Sequence, residues 1–360
     1  GRGSPTPAAS PTSPGPRHGP ASAPGSADTP WRPRRTRGTE GPPREPTGCC
    51  EWGAASPGRA AGFTTARDVC TEGAGYADVA LALAIRDGTV PGARVVPSGR
   101  GIAITGGYMP GAAPGGCLPT GCAIVDGPDD ARREVRTQVA SGVAWIKVFA
   151  DWPCRSAPGH PPAVCPTFTE AELGAICDEA RRRGGRRVAA HVTSDAGARQ
   201  AIGCGAASLE HLAPMSRETL DLAAERGVFV VPTLSIGHYL PPDASASDAA
   251  RRDRQVDELH ATMERALAAG VRIACGTDLG CFPHALGSLQ ELQHLIAHGM
   301  TAERALAAAT SEAAALLGMP ELGRIGEGAA ADLVVFQATA PFDLGATLRS
   351  RPVRVVRAGR

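Results

Sequence analysis

From Gly62 onward the sequence alternates short apolar runs with longer amphipathic stretches, and this rhythm constrains the fold more than any other feature. The strand-like runs are Gly62 to Val69, Ala93 to Pro97, Trp145 to Ala150, Arg187 to Thr193, Ala206 to His211, Val228 to Leu234 and Arg272 to Asp278. Each is a few residues long, rich in β-branched or aromatic side chains and bounded by turn formers, as buried strands require. Helical periodicity fills the gaps at Tyr76 to Asp87, Asp130 to Ser141, Thr169 to Arg183, Ser194 to Gly203, Ser216 to Arg226 and Asp248 to Ala269, and returns at Ser288 to His298 and Ala302 to Leu317. Thr169 is placed to cap its helix, with acids in the first turn, and Gly184 and Gly185 to stop it. Strand, helix, strand in repetition means parallel strands joined by right-handed crossovers. The rhythm predicts a (β/α)8 TIM-type barrel, with chemistry at the C-terminal ends of the strands. Only seven barrel strands can be counted. Beyond Gly323, Asp332 to Phe336 and Val353 to Arg357 read as short strands of a small side sheet.

Residues before Gly62 belong to another compositional class. The first sixty hold 13 of the 32 prolines and eight Arg against four acids, without a period of 2 or 3.6. Such a segment buries too little to offset its ordering entropy. The expected organisation is therefore a head over 1–57, a barrel over 58–322 and a C-terminal sheet segment over 323–360. Its Arg32, Arg34, Arg35 and Arg37 lack interleaved aromatics beyond Trp31, which favours a solvated tail over a nucleic-acid surface. Net charge is +1 from 37 basic and 36 acidic residues, so no general field points to nucleic acid or a membrane. No apolar run approaches the roughly 18 residues of a membrane helix, and the start shows no apolar signal stretch, giving a cytoplasmic expectation. The Gly-rich stretches Gly99 to Gly107 and Gly111 to Gly116 lack the lysine of a phosphate loop. Eleven cysteines without a C-x-x-C pair read mostly as small core residues, with Cys117–Cys122 and Cys154–Cys165 as the pairs able to join under oxidising conditions.

Among the 37 basic residues, only Lys147 is a lysine. It lies inside the apolar run Ala144-Trp145-Ile146-Lys147-Val148-Phe149-Ala150. A chain that fills its basic positions with Arg has reason to keep one Lys where chemistry closed to guanidinium is needed: nucleophilic attack, a Schiff base or a carbamate. The plainer reading is snorkelling at a strand end. Ionisable groups close three other strands, His191 in VAAHVTS, His211 in SLEHL and Asp278 in GTDLG. Two neutral imidazoles and a carboxylate are ligands that Zn²⁺ takes readily, and a carbamate would add bridging oxygens. Singly, a strand-end His is more often held by hydrogen bonds, and an Asp after Gly-Thr more often caps a turn. Their joint placement on one barrel face favours a metal site. His294 and His298, four apart on a helix, are within reach of a shared metal, but the pattern assigns them to the solvated outer face.

These motifs resemble the amidohydrolase superfamily, in its imidazolonepropionase-like and Xaa-Pro dipeptidase-like branch. The resemblance runs through GFTTARD, TGGYMP, WIKVFADW, FTEAELGAI, VAAHVTS, SLEHL, GVFVVPTLS, GTDLGCFPH, ATSEAAALLGM and GRIGEGAAADLVVF. It implies a one- or two-metal barrel, usually zinc, with a small β-sandwich, hydrolysing an amide-type C–N bond in a dipeptide or cyclic amide. Carried over, Lys147 becomes the carboxylated bridging ligand, His191 and His211 ligands of the more exposed metal, and Asp278 both ligand and proton shuttle. Tyr108 and His284 fall near the substrate. The family's His-x-His pair on the first strand has no counterpart: no two of the nine His are two apart, and His18 is the only one before Gly62. The head is thus expected not to encode the family's first strand, leaving one zinc ion favoured over two and a catalytically impaired relative as the alternative. Substrates are expected to be small molecules or peptides, and homo-oligomerisation stays open.

Overall fold

In the computed structural model, residue 1 and residues 62–108, 121–154, 163–279, 289–338 and 343–359 are described, and the described secondary structure all lies in the unit Gly48–Arg360. The chain order opens with β1 (Thr65–Arg67), α1 (Ala77–Arg86), β2 (Arg94–Val96), β3 (Gly101–Ala103), β4 (Cys122–Ile124), α2 (Pro128–Ala140) and β5 (Trp145–Phe149). A hairpin of β6 (Asp151–Cys154) and β7 (Ala163–Pro166) precedes α3 (Glu170–Arg182), β8 (Arg187–His191), α4 (Asp195–Cys204), β9 (Ser208–Glu210), α5 (Arg217–Glu225) and β10 (Phe229–Val231). Next come α6 (Leu234–His238), α7 (Ala246–Ala268), β11 (Arg272–Ile273), α8 (Gln290–Ala297), α9 (Ala302–Ala309), α10 (Ser311–Leu317), β12 (Leu333–Val335), α11 (Leu344–Leu348) and β13 (Arg354–Val356).

Seven strands pair in the order β11-β10-β9-β8-β5-β3-β4, with every bridge parallel, and β1 pairs in parallel with β2. The amides of Ala144 and Trp145 donate to Pro97 O, which joins the end of β2 to the start of β5. Five of the seven runs marked in the sequence, β5, β8, β9, β10 and β11, are therefore strands of that parallel sheet, and the other two, β1 and β2, form a parallel pair that the Pro97 contact joins to it, an arrangement consistent with a TIM-type barrel. Pro97 meets the start of β5 and β3 pairs further along it, with a break at Ser98–Arg100 between them. A buried carboxylate holds that break: Asp78 Oδ2 accepts from the amides of Ser98 at 2.9 Å and Gly99 at 2.7 Å. Gly99 has φ +67°, and a Cβ there would lie 2.8 Å from the Tyr76 ring, so only glycine fits. The short strands β3 and β4 were not legible in what reads as a glycine-rich loop.

Side-chain alternation sorts the strands into two faces. Ile146, Val148, Val188, Ala190, Leu209, Val230 and Ile273 belong to the large core beneath the helices. Trp145, Ala189, Phe229, Val231 and Ala274 pack into a second, inner cluster together with Leu316 of α10. Lys147 stands between Trp145 and Phe149 on that inward face, which is why a charged residue can occupy an otherwise apolar strand. Helix starts follow the expected chemistry: Thr169 and Glu172 form a capping box, and Gly184 with φ +87° and Gly185 with φ +69° follow the helix end. The stretch read as one helix over Ala302 to Leu317 is two, broken at Thr310 with φ −125° and ψ −93°. At the C-terminus β12 and β13 form an antiparallel pair.

Candidate active site

Lys147, His191, His211 and Asp278 line one cavity of about 1180 Å³, together with Tyr108. Strict alternation explains the first two. His191 is the last residue of β8, in register with Phe149 and Glu210, and Lys147 is in register with Ala189. It does not explain His211, which follows the inward-facing Glu210 directly and would be turned outward by a continuing strand. Its left-handed backbone, φ +76°, brings both consecutive residues to the cavity. Five described non-glycine residues have φ between 45° and 76°, and Glu72, His211, Thr233 and Asp278, four of them, line this cavity. Left-handed backbone is costly for such residues and gathers at functional sites.

The electrostatics favour neutral nitrogens. Burial pushes the Lys147 amine below its ordinary range, against the pull of the Glu210 and Asp278 carboxylates. Lys147 is only 3% exposed. Burial also carries His191 well below 6.5, with the His211 and Lys147 charges acting in the same direction. His211 moves down for the same first reason, opposed by Asp278. The two rings meet edge to face, centroids 4.5 Å apart. His211 Nδ1 is 2.8 Å from Thr233 Oγ1. The buried Nε2 of His191 has no hydrogen-bond partner among the described residues.

Beneath this group lies a charge pair that the motifs did not reveal. Arg67 Nη2 reaches Glu210 Oε1 at 2.7 Å, Arg67 Nη1 reaches Ser208 Oγ at 3.1 Å, and Ser208 Oγ donates to Glu210 at 2.5 Å. The Arg67 guanidinium also covers the Trp145 ring at 4.5 Å. A hint lay in the sequence: each charge stands at an inward position of an otherwise buried strand. Asp68, also in the wall, is raised to about 6 by burial. The thiols of Cys70 and Cys122 share a hydrogen bond.

One wall is aromatic. Tyr108 stacks on Phe149 with centroids 4.0 Å apart and meets Trp152 edge-on at 4.6 Å, while Trp152 stands 5.5 Å from His191. The Tyr108 hydroxyl donates to Glu72 at 2.5 Å. Trp152 is carried by the β6–β7 hairpin, which a Cys154–Cys165 disulfide closes. That pair is one of the two the sequence allowed; Cys117 of the other lies outside the described residues, as does His284.

His294 and His298 depart from expectation. They are not on a solvated face: His298 is 2% exposed, its Nε2 lies 2.8 Å from His238 Nε2, and the His294 ring stacks on His238 at 4.0 Å. The partner comes from α6, sixty residues earlier, so helical spacing alone could not reveal it. None of these three rings lines the cavity.

The donor set at the cavity suits a divalent metal: two imidazoles whose burial favours the neutral ring, one of them with an orphaned nitrogen, a carboxylate, and an amine whose pKa burial lowers. Among the described residues no three His, Cys, Asp or Glu side chains form a ready-made cage. The fit therefore rests on the chemistry of the donors, Lys147 among them.

The model of the amidohydrolase family matches residues 56–359, and the chain belongs to that family. Its sequence is 33% identical over 303 residues to the ochratoxinase of Aspergillus niger, a match covering 77% of this chain and 60% of that protein. The chain thus spans less than two thirds of the length of that relative. In structure it is similar to A. niger ochratoxinase, with a TM-score of 0.71 and 29% identity over 84% of this chain and 72% of that one. It is similar also to a Xaa-Pro dipeptidase with methionine bound in its active site, with a TM-score of 0.70 and 28% identity over 85% and 76% of the two chains.

Proposed function

We propose that the protein is a metal-dependent amidohydrolase that cleaves an amide-type C–N bond in a dipeptide or cyclic amide. The observation that carries this reading is the meeting at one cavity of Lys147 from within β5, His191 from the end of β8, and His211 and Asp278 from beyond β9 and β11. The similarity to a Xaa-Pro dipeptidase and to ochratoxinase supports it. His191, His211 and Asp278 would hold the metal, zinc by donor type, with Lys147 as its carboxylated ligand; one ion is favoured over two. Bound there, the metal would supply Lewis acidity, acidifying water towards neutrality and polarising the scissile carbonyl.

The chain's own residues have distinct tasks. Lys147 is poised for carboxylation because burial favours its free amine: the nitrogen lone pair bonds to the carbon of CO2 and one proton leaves, giving an anionic carbamate. Asp278 takes the proton of the attacking water and delivers it to the leaving nitrogen. Tyr108, Phe149 and Trp152 present an apolar wall to the substrate and exclude water from that side. Arg67 and Glu210 form the charged floor. The C-terminal pair β12–β13 is read as part of a small β-sandwich.

The test is metal analysis together with a hydrolysis panel of Xaa-Pro dipeptides and N-acylated amino acids. The expected result is at least one zinc per chain, with metal and turnover both lost in Lys147→Ala and His191→Ala. A protein that binds no zinc and whose melting temperature ignores both zinc and chelators would instead be a catalytically impaired relative.

A further inference from the structure

We propose that Thr233 is a positioning residue that fixes the tautomer and aim of His211. The inference rests on the hydrolase reading in one respect, that the His211 ring does its work through the nitrogen left to the cavity. Thr233 follows β10 by two residues and is 6% exposed. Its Oγ1 lies 2.8 Å from His211 Nδ1. Two features make this contact more than incidental packing.

The first is the backbone. Thr233 has φ +48° and ψ +46°, a left-handed conformation that a β-branched residue adopts at a cost and that Gly or Asn adopts readily. A turn needed only for its shape would be better served by glycine, so the strained position argues that the hydroxyl is what is retained. The second is the anchoring. Buried Glu291 accepts from the amides of Leu234 and Ser235, each at 2.8 Å, and from Ser235 Oγ at 2.6 Å. Those are the residues immediately after Thr233, so the start of α6 is clamped from α8. On the other side the His211 amide donates to Val231 O at 2.9 Å. Both ends of the Thr233–His211 contact are thus tied to β10 and its flanking turn.

A neutral imidazole carries one N–H, and the partner of one nitrogen decides which nitrogen keeps the lone pair. Nδ1–H donates to Thr233 Oγ1, leaving the lone pair on Nε2 for the cavity that the ring lines. Without the hydroxyl, the ring would be free to place its proton on Nε2 and to rotate, and its value as a donor would fall.

The test uses full-length protein with ¹⁵N-labelled histidine and three variants, Thr233→Ser, Thr233→Val and Thr233→Gly. The signals of His211 are assigned with His211→Gln. Long-range ¹H–¹⁵N spectra of the metal-free protein read the tautomer directly, and competition with a chromophoric chelator reads zinc affinity. We expect the Nδ1–H tautomer in the parent and in Thr233→Ser, and loss of it in Thr233→Val with a fall in zinc affinity on the order of 10- to 100-fold. Thr233→Ser should stay within about threefold of the parent, the rescue expected if only the hydroxyl matters. Thr233→Gly relieves the strained backbone yet lacks the hydroxyl, so it should match Thr233→Val in tautomer while melting no lower than the parent. An Nε2–H tautomer in the parent, or an unchanged tautomer in Thr233→Val, overturns the proposal. The tautomer spectra decide it even if no zinc binds, an outcome that would sink the hydrolase reading alone.

Discussion

Arg67 on β1 reaches across the interior to Glu210 on β9, Nη2 to Oε1 at 2.7 Å, with side-chain exposures of 8% and 3%. The two residues are 143 positions apart. Among the described residues β1 has a strand neighbour only in β2, so this strap adds a second attachment. A buried pair broken on one side leaves the other charge stranded, which costs roughly 3–5 kcal/mol. Arg67→Met and Glu210→Gln should each lower stability by about that much, judged by urea unfolding. Arg67→Met combined with Glu210→Gln should cost clearly less than the sum of the two single losses. Additive losses would show that the pair is not coupled.

The β6–β7 hairpin should depend on its disulfide. Cys154 and Cys165 are 11 residues apart, and closing a loop of that size stabilises by roughly 2–3 kcal/mol in the chain-entropy treatment. Cys165→Ser, or mild reduction, should lower the melting temperature. Because Trp152 lies within the hairpin and packs on Tyr108, the substrate wall should loosen as well. With an Xaa-Pro dipeptide as substrate, KM should rise more than kcat falls. An unchanged KM in the reduced protein would separate the hairpin from binding.

How much of the fold and site was legible in the sequence depends on the range of each interaction. Lys147 and His191 obey the two-residue period of their own strands, so a local pattern sufficed to aim them inward. His211 and Asp278 reach the same cavity through left-handed backbone that no glycine announced, so their strand-end position was readable and their geometry was not. Thr233 carried no signal, because a threonine after a proline reads as ordinary turn chemistry. Arg67 and Glu210 sit inside the quoted motifs, yet their pairing is a cross-interior contact that periodicity does not encode. The same limit misled the reading of His294 and His298: their correct i, i+4 spacing says nothing about a third ring arriving from α6.

That ring cluster should make the protein acid-sensitive. Burial first, and then the neighbouring imidazoles, push His294 and His298 down to about 4. An unfolded histidine titrates near 6.5. With the folded value below the unfolded one, the neutral cluster contributes its full stability above about pH 6.5 and loses it as the pH falls towards 4. His294 is only partly buried, which discounts the effect to roughly 1 kcal/mol per pH unit for the pair. Urea midpoints measured from pH 7 to pH 4.5 should fall less steeply in a His294→Asn, His298→Asn double variant than in the parent. Parallel slopes would place the acid sensitivity elsewhere.

Replacing the single lysine by a residue of similar shape separates its structural cost from its chemical use. Burial outweighs the carboxylates of Glu210 and Asp278 in setting the Lys147 pKa, so holding this amine inside the barrel opposes folding at neutral pH. Lys147→Met keeps the apolar stem against Trp145 and Phe149 and removes the ionisable end. Its stability should equal or exceed the parent's by about 1 kcal/mol, the usual sign when a functional group is removed from a strained site. Zinc content and hydrolysis should nevertheless collapse, and Lys147→Arg should fare no better, since guanidinium stays charged and cannot form a carbamate. Chemical denaturation alongside metal analysis reads both effects. A Lys147→Met protein that unfolds several kcal/mol more easily than the parent would mark the lysine as a structural strut and remove the strongest reason for placing chemistry at this cavity.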